Sequence, residues 1–249
     1  MKIRVIPSIL TNGVSQVKGE KFDNWRTVGS VMQAVRVHSR RDVDEIVLLD
    51  VNASKEGRVI DAELVSEVAS FLRVPLTVGG GISSIDDVSR LLSAGADKVI
   101  IGTAAVLDDG LISDLSREFG AQALVVSIDV IDAQHSPLVA VFSGTKILET
   151  TPVELSLEMV KRGAGELLVQ SVDRDGTLRG LDTRTVAEIC AAVSVPVLAS
   201  SGLASPENAV DGAKAGASGI VAGAILQFTE VTPASIKNAL GANGFDVRR

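Results

Sequence analysis

The sequence predicts an α/β protein folded as one (β/α)8 TIM barrel with a two-fold half-barrel repeat. Three observations carry this. Eight short runs of branched apolar residues alternate with helical patterns, as a parallel sheet covered on both faces requires. The second half of the chain repeats the plan of the first. The 249 residues, 46% hydrophobic and 22% charged, suit one barrel-sized core, so a single domain over residues 1–249 is expected.

In order, the candidate strands are Arg4–Leu10, Glu45–Asp50, Val74–Val78, Lys98–Ile101, Ala123–Ile128, Glu166–Ser171, Val195–Ala199 and Gly219–Ala222. Eight such units favour closure of the sheet. The rival, an open doubly wound sheet, lacks a GxGxxG turn after the first strand. Sliding the chain by 121 residues lays Val51–Gly102 on Val172–Gly223 without a gap. Val74-Pro75 then meets Val195-Pro196, Asp61 meets Asp182, Gly81 meets Gly202, Ala94-Gly95-Ala96 meets Ala215-Gly216-Ala217, and Gly102 meets Gly223. A shift of that length fits two half-barrels of four βα units and is too long for a solenoid repeat.

Composition narrows the function. A net charge of −7 provides no broad basic field, which argues against nucleic-acid and anionic-membrane partners. An anionic substrate then needs a local site. The single cysteine, Cys190, lies in a helix-like apolar stretch and is expected to be a buried, inert thiol in a reducing compartment. The N-terminal apolar run MKIRVIPSIL is too short for a signal or membrane segment, so a cytoplasmic protein is expected. With two histidines, His38 in a helix-like stretch and His135 in a loop, a His/Cys metal site is excluded by scarcity, and no cofactor is expected.

Glycines after strands are the first site candidates. Val78-Gly79-Gly80-Gly81-Ile82 and Gly102-Thr103-Ala104 end two strands of the first half, and Ser200-Ser201-Gly202 and Gly223-Ala224 repeat them in the second. Such loops present backbone N–H groups at helix starts, which bind phosphate without a lysine. Each glycine alone also suits a tight turn. Four loops in symmetric pairs favour phosphate binding, and two sites across one barrel mouth imply a long substrate with a phosphate at each end.

Carboxylates at strand C-termini follow, because barrel chemistry is done at that face. Asp50 closes the second strand and Asp129 the fifth, while Asp173-Arg174-Asp175-Gly176-Thr177 follows the sixth. Asp129 ends the apolar run LVVSI, surroundings that raise a carboxylic pKa toward general acid–base use; accepting N–H bonds from its own loop is the structural alternative. Asp175-Gly176 alone is also a turn signal. At the opposite end, Arg4, Glu45, Lys98 and Glu166 stand at or near the starts of strands one, two, four and six. They are either ordinary solvated charges or a salt-bridged ring closing the barrel floor.

TVGGGI at 77–82, GADKVII at 95–101, SIDV at 127–130, GAGELL at 163–168, SVDRDGT at 171–177 and GLD at 180–182, with VKG at 17–19 and FDNWR at 22–26, resemble the cyclase subunits of imidazole glycerol phosphate synthase over essentially the whole chain. The resemblance implies a heterodimer with a glutaminase docked on the N-terminal face of the barrel, sending ammonia through it. It implies a bisphosphorylated substrate, a phosphoribulosyl-formimino aminoimidazole carboxamide ribotide, which ammonia cleaves and cyclises. It places a charged gate on Arg4, Glu45, Lys98 and Glu166, a mobile loop on residues 13–26 with Lys18 facing substrate, and phosphate or substrate contacts on Asp50, Gly81, Gly102, Thr103, Gln170, Asp175, Gly176, Gly202, Gly223 and Ala224. One catalytic aspartate falls on Asp129.

The other does not: Leu10 stands where an aspartate should close strand one. Gly102 replaces the usual asparagine, Gln170 a threonine and Ser201 a glycine. Ammonia delivery is therefore expected to persist, while the reaction has competing readings. One is a cyclase of the same type. Another is a cyclase-like paralogue that channels ammonia for acetamidino-sugar synthesis in surface polysaccharides. A non-catalytic scaffold that activates its partner is a third, and a two-phosphate isomerase is a weaker fourth.

Overall fold

A computed structural model describes residues 2–133 and 136–248, which form a closed barrel of eight parallel strands ringed by helices. His135 lies outside the described residues. The chain opens with β1 (Arg4–Thr11), a hairpin of β2 (Gln16–Glu20) and β3 (Asp23–Gly29), α1 (Val31–His38) and β4 (Ile46–Asp50). Next come α2 (Ala62–Phe71), β5 (Leu76–Gly79), α3 (Ile85–Ser93), β6 (Lys98–Ile101), α4 (Thr103–Leu107) and α5 (Leu111–Phe119). The second half runs through β7 (Leu124–Ala133), a ribbon of β8 (Ser136–Val141) and β9 (Lys146–Ile147), α6 (Pro152–Arg162), β10 (Glu166–Ser171) and α7 (Thr183–Ala192). It ends with β11 (Val197–Ser200), α8 (Pro206–Lys214), β12 (Gly219–Ala222), α9 (Ala224–Phe228) and α10 (Pro233–Ala242).

The barrel follows β1-β4-β5-β6-β7-β10-β11-β12 and returns to β1, every neighbour parallel. The expected strands are present with shifted edges. Val74-Pro75 and Val195-Pro196 fall outside β5 and β11, because proline has no N–H for the ladder. Their carbonyls still serve as symmetric anchors: Pro75 accepts from the Ile46 N–H at 2.9 Å and Pro196 from the Leu167 N–H at 3.0 Å. Glu45 stands one residue before β4, and the fifth run continues to Ala133 because β7 extends beyond the barrel to pair antiparallel with β8. Residues 13–26, expected as a loop, instead hold most of the β2–β3 hairpin.

The internal repeat extends to backbone detail. Asp61 and Asp182 cap α2 and α7, and Ser84 and Ser205 cap α3 and α8. Gly102 and Gly223 precede the paired five-residue helices α4 and α9 with almost the same dihedrals. Gly81 and Gly202 both take φ near +70 to +90°, a conformation open to glycine at little cost.

Along the axis the interior has three levels. Arg4, Glu45, Lys98 and Glu166 occupy the floor. Above them Ile6, Val47, Ile100, Val125, Leu168, Leu198 and Val221 form a buried apolar layer, one residue from each barrel strand except β5. There Gly79 leaves room, since a Cβ would press on Leu49 and Ile100. A second apolar core lies between the strands and the helices. Cys190 sits on α7 but is half-buried rather than fully buried, beside Gly216, with its thiol pKa raised by that burial. Among the described residues no helix is long and apolar enough to cross a membrane.

Candidate active site at the barrel mouth

Above the apolar layer a cavity of about 510 Å³ opens at the strand C-termini. Ile100 and Val221 form part of its base, and Gly81, Gly102, Thr103, Gly176, Gly202, Gly223 and Ala224 all line it. The expected glycine loops therefore meet around one chamber. A side chain at Gly81 would collide with the Arg58 carbonyl, and one at Gly202 with Gly180. Gly102 differs, because a Cβ there meets only Ser127 at 3.7 Å. The missing side chain widens the chamber.

Asp129, near the middle of β7, faces this space. Its Oδ1 accepts from the Ser127 hydroxyl at 2.6 Å and from Gln170 Nε2 at 3.1 Å. Gln170 stands directly opposite on β10 and also donates to the Ser127 hydroxyl at 3.1 Å. Burial raises the Asp129 pKa, and these two hydrogen bonds oppose the rise. The alternative in which Asp129 caps its own loop is not what the geometry shows. Ser127 escaped notice in the sequence, although two residues before Asp129 on a strand is the same face.

Asp175 follows β10 and reaches the same chamber. Its Oδ1 accepts from the Ser201 hydroxyl at 3.2 Å, and the nearby Phe22 N–H also acts to lower its pKa. Burial pushes its pKa up to about 6, with the Lys18 charge acting downward and Asp129 upward. Lys18, on β2, is 4% exposed, and its Nζ donates to the Ser8 carbonyl at 3.1 Å. Burial lowers its pKa to about 8. A Cβ on Gly223 would lie 3.2 Å from that ammonium, so Lys18 stands beside a second-half glycine loop.

The β2–β3 hairpin closes over this part of the mouth. The Lys21 N–H donates to the Asp175 carbonyl at 2.9 Å, and Gly176 packs so tightly on Gly19 that a side chain there would clash. Phe22 and Trp25 of the hairpin and Phe142 after β8 add aromatic walls that the sequence did not reveal. The Phe142 N–H donates to the Thr103 hydroxyl at 2.8 Å.

Asp50 lines the chamber with its carboxylate already engaged. Arg58 Nη1 and Nη2 lie 2.5 and 3.1 Å from it, and the N–H groups of Asn52 and Ala53 donate to it at 3.1 Å. Arg58, unremarked in the sequence, is the cation exposed at that edge, with a guanidinium pKa raised chiefly by its hydrogen bond to Asp50. Leu10 lines the chamber as an apolar wall.

At the other end the four floor charges form a closed ring. Arg4 bonds Glu45 at 2.8 Å and also Glu166, and Lys98 bonds Glu45 at 2.8 Å and Glu166 at 2.7 Å. Thr77 adds a hydrogen bond to Glu45 at 2.6 Å. Burial alone would raise Glu166, yet Arg4 and Lys98 hold it below its ordinary value. The alternative of separate solvated charges is ruled out.

Comparison with known proteins agrees with this plan. The family pattern for histidine biosynthesis proteins matches residues 4–232. The chain belongs to that family. Within the family it is 42% identical over 248 residues to imidazole glycerol phosphate synthase subunit HisF of Dictyoglomus thermophilum, covering 98% of both chains. It is 39% identical over 249 residues to HisF of Gluconacetobacter diazotrophicus, covering all of this chain and 96% of the relative. A Campylobacter jejuni protein, provisionally named imidazole glycerol phosphate synthase subunit hisF2, is 36% identical over 248 residues, covering all of this chain and 99% of that one. These relatives are named as subunits of imidazole glycerol phosphate synthase, within a family of histidine biosynthesis proteins.

Proposed function

We propose that this chain, acting as one barrel domain in the cytoplasm, is the ammonia-using subunit of an imidazole glycerol phosphate synthase-type complex. The observation that carries the reading is coaxial order: charge ring, buried apolar layer, then buried titratable groups beneath a glycine-lined mouth. A glutaminase docked on the N-terminal face would deliver ammonia at the ring. An apolar layer passes a small neutral molecule and penalises ammonium, so the nitrogen arrives as a nucleophile. The glycine loops would hold the two phosphates of a ribulosyl-formimino aminoimidazole carboxamide ribotide, with Lys18 and Arg58 supplying positive charge at the rim. Asp50 would reach substrate through Arg58. Asp129, kept weakly acidic by burial, would move protons as the new nitrogen bond forms.

The test is ammonia-dependent turnover of the ribulosyl substrate by the parent and by Asp129→Asn, at saturating ammonium. Turnover that falls at least 100-fold in the variant supports the reading, and a parent inactive at high ammonia defeats it. Leu10 favours a second reading, in which the barrel only channels ammonia for acetamidino-sugar synthesis. That reading predicts no conversion by the parent, with glutaminase activity still stimulated when the barrel is bound. If Leu10→Asp creates cyclase activity that the parent lacks, the parent has left the histidine pathway.

A further inference from the structure

Three departures from the family pattern fall around two carboxylates. Leu10 removes one from the end of β1, while Gln170 hydrogen-bonds Asp129 and Ser201 hydrogen-bonds Asp175. Ser201 adopts φ of +72°, a conformation strained for a residue with a Cβ. Strain of this kind persists where the surroundings enforce it, and it gathers at working sites. Here it aims a hydroxyl at a half-buried carboxylate in the cavity.

We propose that Asp129, on β7, and Asp175, in the loop after the neighbouring β10, form the acid–base pair of this site in place of a pair divided between β1 and β7. This rests on the reading that the mouth takes an ammonia-accepting substrate. The ionised member takes the proton that ammonia sheds as its nitrogen bonds to the electrophilic carbon. The protonated member gives its proton to the group that leaves. One proton is gained and one lost, so the pair is ready for a further cycle after a single exchange.

The electrostatics suit such sharing. Carboxyls that line one chamber disfavour each other's ionised form, and Asp129 acts on Asp175 in that sense. The charged groups acting on Asp175 are Lys18 from the hairpin and Asp129 from β7, with the Ser201 hydroxyl and the Phe22 N–H as uncharged donors. Lys18 is the counter-charge that lets one member ionise near neutral pH. Ser201 is a positioning residue.

The experiment measures kcat and KM against pH for the intact chain with ammonium salt and the ribulosyl substrate. Asp175→Asn is expected to lower kcat at least 100-fold, to change KM less than threefold, and to abolish one limb of the pH profile. Ser201→Gly is expected to move that limb to higher pH. A raised KM with unchanged kcat makes Asp175 a binding group and overturns the proposal. A second measurement does not need turnover: carbon NMR titration of the carboxyl groups in the parent and in Asp129→Asn. The Asp175 midpoint is expected to fall by about half a pH unit once Asp129 is neutral, and an unmoved midpoint overturns the pairing. A parent without turnover defeats the proposed function, whereas turnover with an unmoved Asp175 midpoint overturns the pair alone.

Discussion

The floor and the mouth of this barrel both gather buried charge, and they treat it in opposite ways. At the floor each of two cations touches both of two carboxylates, and the shifts favour ionisation: Arg4 is raised and Glu166 lowered. At the mouth the shifts oppose it, with Lys18 lowered and Asp129 and Asp175 raised. Among the described residues no ion pair within 4 Å joins Lys18 to either aspartate. The floor charges all have ion-pair partners within the fold, whereas at the mouth Asp50 is so paired, with Arg58, but Lys18, Asp129 and Asp175 are buried without an ion pair among the described residues. Where burial and pairing coincide, removing one partner is costly because it strands the other charge, and where burial outruns pairing the shifted groups are candidates for chemistry.

Breaking the floor is therefore expected to have the largest effect. Glu166→Ala leaves Arg4 and Lys98 with one shared carboxylate, and a broken buried network of this kind costs about 3 kcal/mol, allowing for the partly exposed Arg4. Denaturant unfolding at pH 8 measures it. The same experiment on Asp129→Asn is expected to show no loss, because the replaced group prefers to be neutral. Equal losses in both variants would erase the distinction between the two ends.

Next in size is the pH dependence of Asp175. Its folded pKa of about 6 lies above that of an unfolded aspartate, so the folded state binds more protons between roughly pH 4 and 6. The group's contribution is then least unfavourable below pH 4 and is lost as pH rises through 6. Asp175→Asn should stabilise the protein by on the order of 2 kcal/mol at pH 8, after discounting for partial exposure, and by almost nothing at pH 4. Glu166 runs the other way. Its folded pKa is depressed, so its contribution is present above the unfolded value and disappears as acid protonates it. Unfolding curves for the two single variants between pH 4 and 8 should diverge in opposite directions.

The legibility of the sequence follows the same division. The positions of the four floor charges at strand starts left solvated charges and a ring both open, and the family resemblance favoured the ring that the structure contains. The paired halves could be read because glycines and caps recur at a constant offset. The mouth was only partly legible. Its β2–β3 hairpin turns through Lys21 and Phe22 with φ of +55 and +60°, a backbone that sequences normally announce with Asn-Gly. Phe142 and Ser143 turn out of β8 with similar angles. The aromatic walls of the chamber stand on these unannounced turns. Ser201 and Gln170 were visible as departures, but nothing local showed that each would meet a carboxylate.

Leu10→Asp gives the smallest expected change and the finest test of how the mouth tolerates charge. The substitution removes a half-buried leucine, worth about 1 kcal/mol of apolar burial. It also adds a carboxyl to a chamber where Asp129 and Asp175 already resist ionising. At pH 8 the like charge adds a further fraction of a kcal/mol through the solvent-screened cavity. At pH 5, where mouth carboxyls take up protons, that fraction should vanish and leave only the apolar loss. The Asp175 midpoint should rise in the variant. If stability instead changes equally at both pH values and the midpoint stays in place, Leu10 is electrostatically remote from the pair, and its apolar wall shapes the substrate rather than the protons.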